Sequence, residues 1–140
     1  KLSNVLSAIG LIQMKKIEKI IEDRIEKAKI YQELLSKIGN IKPAYVGKNT
    51  RQTFQSYTCY VEKEEYRDKI RKALADENIQ SQIGTYALHL EPAYNKLRHI
   101  GNLLNSEKLF SNAITLPLHK NLSYDDQERI CRIIKETVED

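Results

Sequence analysis

No apolar run in this sequence approaches the roughly 20 residues that a membrane-spanning helix requires, and no cleavable signal pattern is visible. Cysteine is scarce. Cys59 and Cys131 lie far apart, outside any CxxC or metal-binding pattern. Without a secretory signal they are expected as buried thiols rather than as a disulfide, and the protein is expected in the cytoplasm. Histidine is equally sparse: His89, His99 and His119 show no HxxxH or HExxH spacing, which argues against a zinc site. No serine or cysteine sits in a nucleophile elbow, and neither a phosphate loop nor GxGxxG occurs. Motifs that carry chemistry on their own are missing, so no metal ligand and no catalytic residue is assigned.

What is present describes one globular domain. The 140 residues suffice to bury a core, and 41% hydrophobic against 30% charged residues excludes a disordered chain. The net charge of +4 is modest. Its signs interleave, as in Lys19, Asp23 and Lys27, which marks a solvated, ion-paired helix face rather than a nucleic-acid stripe. The chain opens on Lys1, and its single methionine, Met14, lies well inside. Residues upstream are therefore expected to be missing from this sequence.

The pattern predicts a long leading helix over residues 3–38, with Ser3 as N-cap. Met14, Ile17, Ile21, Ile25, Ala28, Tyr31 and Leu35 form one apolar stripe at helical spacing, and Gly39-Asn40 ends it. In its first turns Val5, Leu6, Ala8, Ile9, Leu11 and Ile12 point to nearly every side, so this part is expected to be covered all round. Gly10, with Ser7 and Ala8, would allow close packing there against something outside this chain. After a loop over 42–51, residues 53–62 read as a strand and 64–78 as a helix carrying Tyr66, Ile70 and Leu74. A second strand over 79–88 is interrupted by Gly84. Short helices over 92–100 and 105–112, divided by Gly101, lead into a short strand over 113–116 stopped by Pro117. Ser123 and Asp126 form a capping box for a last helix whose inner face is Ile130, Ile133, Ile134 and Val138. The fold class is α+β (α/β): a leading helix (1–38), then a body (53–140) built on a small, mostly antiparallel sheet of about three strands covered by helices.

Four stretches go further. They are KLSNVLSAIGLIQMKKIEKI at the start, RQTFQSYTCYV, then IQSQIGTYALHLEPAY, and ITLPLHKNLSYDDQERI near the end. In this order and at these separations they resemble the C-terminal part of the DegT/DnrJ/StrS family of sugar aminotransferases, from residue 1 to about residue 134. The resemblance implies the small domain of a fold-type-I transaminase. Such enzymes are usually homodimers that use pyridoxal phosphate to move an amino group from glutamate to a keto-sugar attached to a nucleotide. It also implies that the large domain, with the Schiff-base lysine and the groups that hold the cofactor, lies outside this chain. No cofactor is then expected on the chain alone.

Few residues carry over. His89 matches the histidine of the family's P-L-H or A-L-H segment, near the substrate. Thr85 and Tyr86 lie where many members have His-Tyr-Pro, and Gln52 where close relatives have histidine. Lys1 falls where the family often has an arginine, just after an asparagine that has no counterpart here. Lysine keeps the charge but loses the bidentate fork. Without the resemblance, a lone histidine such as His89 reads as a hydrogen-bonded structural group, as does His119 after Pro117-Leu118. Tyr57 and Tyr60 read as core or sheet-face residues.

Two readings follow. The first is the sugar-nucleotide-facing domain of an aminotransferase, inactive by itself, with a nucleotide sugar and glutamate as partners of the whole enzyme. The alternative is a non-catalytic binding or regulatory module with the same fold, for which the basic charge suggests weak nucleic-acid binding. The basic residues do not cluster with aromatics, which argues against nucleic acid as its partner.

Overall fold

The structure, a computed structural model, describes residues 3–94, 96 and 101–139. Helix α1 (Asn4–Met14) begins where the Ser3 hydroxyl accepts the Leu6 amide at 3.3 Å, the N-cap the sequence predicts. The single leading helix does not hold. Lys16 donates its amide to Gln13 at 2.9 Å, a tightened turn, and the chain restarts as α2 (Ile17–Leu35). The two lysines at the break are exposed, so no packing straightens the ladder there. The apolar stripe is buried only in its second half, at Ala28, Tyr31 and Leu35, whereas Met14 is 65% exposed. Past α2 it is Asn40, not Gly39, that takes the left-handed conformation, at φ 63°.

The sheet has four strands rather than three, in the order β1-β2-β4-β3, all neighbours antiparallel. The addition is β1 (Ile41–Lys42), which lies where a loop is expected and pairs Ile41 with Val61. Strand β2 (Tyr57–Val61) is shorter than predicted because Phe54, at φ 48°, turns the chain ahead of it. The carbonyls of Phe54 and Gln55 accept from the Arg24 guanidinium at 2.9 and 2.8 Å, which fixes this entry against α2. Tyr57, Cys59 and Val61 alternate inward, as the pleat requires.

Helix α3 (Glu64–Asp76) buries Ile70 and Leu74, and two residues past its end Asn78 turns left-handed at φ 59°. Strand β3 keeps only Gln82–Ile83 of the ten residues expected. Helix α4 (Leu104–Asn112) runs directly into β4 (Ala113–Leu116), at the centre of the sheet. Part of the short helix expected over 92–100 lies outside the described residues. Helix α5 (Tyr124–Glu139) opens on the predicted capping box and buries Ile130, Ile134 and Val138, with Cys131 and Gln127 beside them.

One core joins α2, α3 and α5 to the inner face of β2 and β4. Tyr31 and Tyr57 meet there at 4.9 Å between ring centroids. The Tyr31 hydroxyl donates to the Pro117 carbonyl at 3.0 Å, and the Gln127 amide donates to the Lys27 carbonyl at 2.8 Å. These bonds tie α2 to the strand exit and to α5. Cys59 and Cys131 are free buried thiols, each pushed up to about 12 by burial. On the outer face Thr58 and Thr115 share a 3.0 Å hydroxyl contact.

Candidate functional site

The site is built from the point where β3 stops. Gly84 donates its amide to the Ala113 carbonyl at 2.8 Å, so the ladder continues one residue past the strand. A side chain could not follow it there. A Cβ on Gly84 would lie 2.4 Å from the Ala113 Cβ and 2.7 Å from the Thr58 methyl. The missing Cβ would point to the outer face of the sheet, where alternation places both neighbours, so glycine lets the backbone keep its place beside β4. Beyond it Thr85 and Tyr86 are exposed, Ala87 is fully buried as an anchor, and a single 3₁₀ turn over Leu88–Leu90 carries His89.

Helix α4 forms the other wall. The His89 Nε2 lies 3.0 Å from the Glu107 Oε1, with the imidazole 13% exposed and the carboxylate 41%. One turn on, Phe110 meets the Tyr86 ring at 6.3 Å. Residues three apart share a helix face, so Glu107 and Phe110 both present themselves to the loop. Arg67 of α3 stands over the Phe110 ring at 5.9 Å and donates to the Phe110 carbonyl. It also hydrogen-bonds Asp68, which holds that carboxyl below the usual range. Tyr86 and His89 thus share the face that packs on α4, and Thr85 is exposed next to Tyr86 in the chain. Tyr86, Leu88 and Leu90 on this face are each about half exposed or more.

The loop offers a hydrogen-bonding imidazole, a hydroxyl at Thr85 and an aromatic ring at Tyr86. Such groups are of the kind that hydrogen-bond or stack on a ligand. Lys1 and His99 lie outside the described residues. Gln52 is exposed on the approach to β2, and His119 is exposed beyond β4. His119 lines a separate cavity of about 710 Å³ between the end of α3 and the start of α5, which the Arg129–Glu77 ion pair borders. None of Thr85, Tyr86 and His89 reaches that cavity. Among the described residues no cluster of three or more potential metal ligands occurs.

Sequence reading missed Glu107. It is one of several acidic residues on helices, and its partner lies 18 positions away, so no local pattern marks it.

The lysines decide whether a pyridoxal phosphate fits. A Schiff-base lysine must be kept neutral by desolvation or by a neighbouring cation. Among the described residues every lysine except Lys27 is exposed. Lys27 is held by Asp23 at 2.5 Å and by the Lys120 carbonyl at 3.0 Å. These residues do not fit the cofactor, and no step through it is assigned to them.

Residues 1–135 match the model of the DegT/DnrJ/EryC1/StrS aminotransferase family. A GDP-perosamine synthase from Vibrio cholerae is 30% identical over 140 residues, covering 96% of this chain and 37% of the relative. The crystal structure of a DegT DnrJ EryC1 StrS aminotransferase from Brucella abortus superposes with a TM-score of 0.77 at 30% identity, over 90% of this chain and 33% of that one. The fold alone is shared with a Helicobacter pylori aminotransferase involved in the biosynthesis of pseudoaminic acid, at a TM-score of 0.87 and 22% identity over 99% of this chain. The chain spans little more than a third of the length of the curated relatives it matches. It belongs to the DegT/DnrJ/EryC1/StrS aminotransferase family.

Proposed function

We propose that this chain is the C-terminal small domain of a cytoplasmic, homodimeric sugar-nucleotide aminotransferase, and that it is inactive by itself. The whole enzyme would transfer the amino group of glutamate to a nucleotide-linked keto-sugar, with pyridoxal phosphate and its lysine on a large domain outside this chain. The observation that carries the reading is the family match across residues 1–135. No described helix is long and apolar enough to cross a membrane.

Within this reading the loop over residues 84–90 faces the sugar nucleotide. His89 hydrogen-bonds the substrate, Thr85 adds a hydroxyl, and Tyr86 offers its ring to the sugar or base. Lys1 is the remaining candidate contact, toward a phosphate. The test is His89→Ala in the full-length protein that carries this chain. Loss of a hydrogen bond to a charged group costs about 1.5–3 kcal/mol. KM for the sugar nucleotide should therefore rise roughly ten- to a hundredfold, while cofactor absorbance and the half-reaction with glutamate stay unchanged. Unaltered sugar kinetics with a lowered melting temperature would make the histidine structural and remove this assignment.

A further inference from the structure

We infer that Phe110 is the positioning residue for Tyr86: its ring holds the tyrosine ring in the orientation in which the open part of that ring packs on the bound nucleotide. The inference rests on the placement of Tyr86 proposed above. It is carried by the rooting of both rings in one residue of β4. Phe110 lies in the last turn of α4, which runs straight into β4 at Ala113. That turn is tied down. The buried Asn112 side chain donates to the Val61 carbonyl at 2.7 Å, and the Ala113 amide donates to the Leu109 carbonyl. Arg67, mostly buried and hydrogen-bonded to Asp68 at 3.0 Å, donates to the Phe110 carbonyl and stands over the Phe110 ring at 5.9 Å. One guanidinium thus holds both the main chain and the ring of Phe110. On the loop side Gly84 donates its amide to the Ala113 carbonyl at 2.8 Å, and Ala87 is fully buried. Tyr86 stands between those two fixed points.

With its backbone held on both sides, the freedom left to Tyr86 is rotation of its side chain. A tyrosine 60% exposed ordinarily samples its rotamers, and freezing one of them on binding costs affinity. The Phe110 ring lies 6.3 Å away between centroids, tilted by 34°, within the range at which aromatic pairs attract. It therefore selects one rotamer before a ligand arrives. More than half of Tyr86 stays open to solvent, which leaves ring surface for the nucleotide. Phe110 need not touch the ligand to matter. Its effect on binding should pass entirely through Tyr86.

The experiment has two arms, both in the full-length protein that carries this chain. In the first, the protein is labelled on tyrosine and the Tyr86 signal is identified by its loss in Tyr86→Phe. NMR couplings should show a single side-chain rotamer in the wild type, with a nuclear Overhauser contact to Phe110, and rotamer averaging in Phe110→Leu. Averaging already present in the wild type overturns the inference, and so does a single rotamer kept in Phe110→Leu. In the second arm the affinities of GDP, UDP and dTDP are measured by calorimetry, and the tightest is used for the variants. Tyr86→Ala should weaken it by roughly tenfold and Phe110→Leu by about fivefold. The Phe110→Leu/Tyr86→Ala double variant should be no weaker than Tyr86→Ala alone. Phe110→Tyr keeps the ring and should bind as the wild type does. Additive losses in the double variant overturn the inference, as does a loss in Phe110→Tyr as large as in Phe110→Leu. If Tyr86→Ala weakens binding and Phe110→Leu does not, the inference alone is overturned. If none of the three nucleotides binds, or Tyr86→Ala is itself without effect, the placement of Tyr86 fails and the inference falls with it.

Discussion

Gly84 shows how one missing methyl group sets the position of a whole loop. A Cβ there would meet the Ala113 and Thr58 side chains at distances no side chain tolerates, and its amide is bonded to β4. Gly84→Ala must push β3 away from β4 or displace Ala113. Overpacking of this kind costs about 1–3 kcal/mol, so a lowered thermal midpoint is expected, with loosened packing of Tyr86 on Phe110 reported by Tyr86 fluorescence or ring NMR. An unchanged midpoint would mean that the close approach is not maintained in solution. At this scale the sequence was partly legible. Gly84 and His89 are visible as punctuation and as part of a motif. Glu107 is not, because its meaning comes from a partner that only the folding of α4 beside the loop brings near. The thiols were legible too, since two isolated cysteines in a chain without disulfide spacing belong in the core, and both lie there.

Among the elements, α5 was the easiest to read and the sheet the hardest. A capping box and a helical apolar period are local, and α5 has both: the Asp126 amide donates to the Ser123 hydroxyl at 3.1 Å, and the Asp126 carboxylate accepts the Ser123 amide at 2.9 Å. The Ser123 hydroxyl also donates to the Asp126 carboxylate at 2.7 Å, and this bond, with that from the Ser123 amide, holds the carboxyl below its usual value of 3.8. A carboxylate whose folded value lies below its unfolded one stabilises the fold above the unfolded value, and that contribution disappears as pH falls through the folded one. The gap in thermal midpoint between wild type and Asp126→Asn should accordingly be full near neutral pH and close as pH drops below the ordinary aspartate range. Ser123→Ala removes the cap itself and should cost about 1 kcal/mol; a pH-independent gap for Asp126→Asn would contradict the capping role. Strands β1 and β3 have two residues each. Nothing in two residues specifies a strand; Ile41 and Ile83 are fixed by Val61 and Ile114 opposite them. The long leading helix failed for the complementary reason, since its period persists through Lys15 and Lys16 while no tertiary contact holds those turns straight.

For the whole molecule α1 and the first turn of α2 stand apart from the body. No residue of α1 is buried, and Val5, Leu6, Ile9, Leu11 and Ile12 are between 49% and 71% exposed. Gly10 has nothing within 4 Å of where a Cβ would stand. An apolar helix this exposed is expected to associate, so the 140-residue chain should sediment above monomer mass at micromolar concentration, and Leu6→Lys with Ile9→Lys should return it to monomer. A clean monomer with α1 ordered and exposed would refute this. The helix pair is tied to the body only from Arg24 onward, apart from the surface pair of Glu18 and Arg51 at 2.7 Å. Some 20 residues precede that tie, roughly 30 Å of helix. Such a rod is a lever: a rotation of about 5° where α2 meets the sheet sweeps its tip through roughly 3 Å at that helical length. A partner that gripped α1 and straightened the joint at Lys15 and Lys16 would couple its own movement to the body, ångströms at the tip answering to a few degrees in the core.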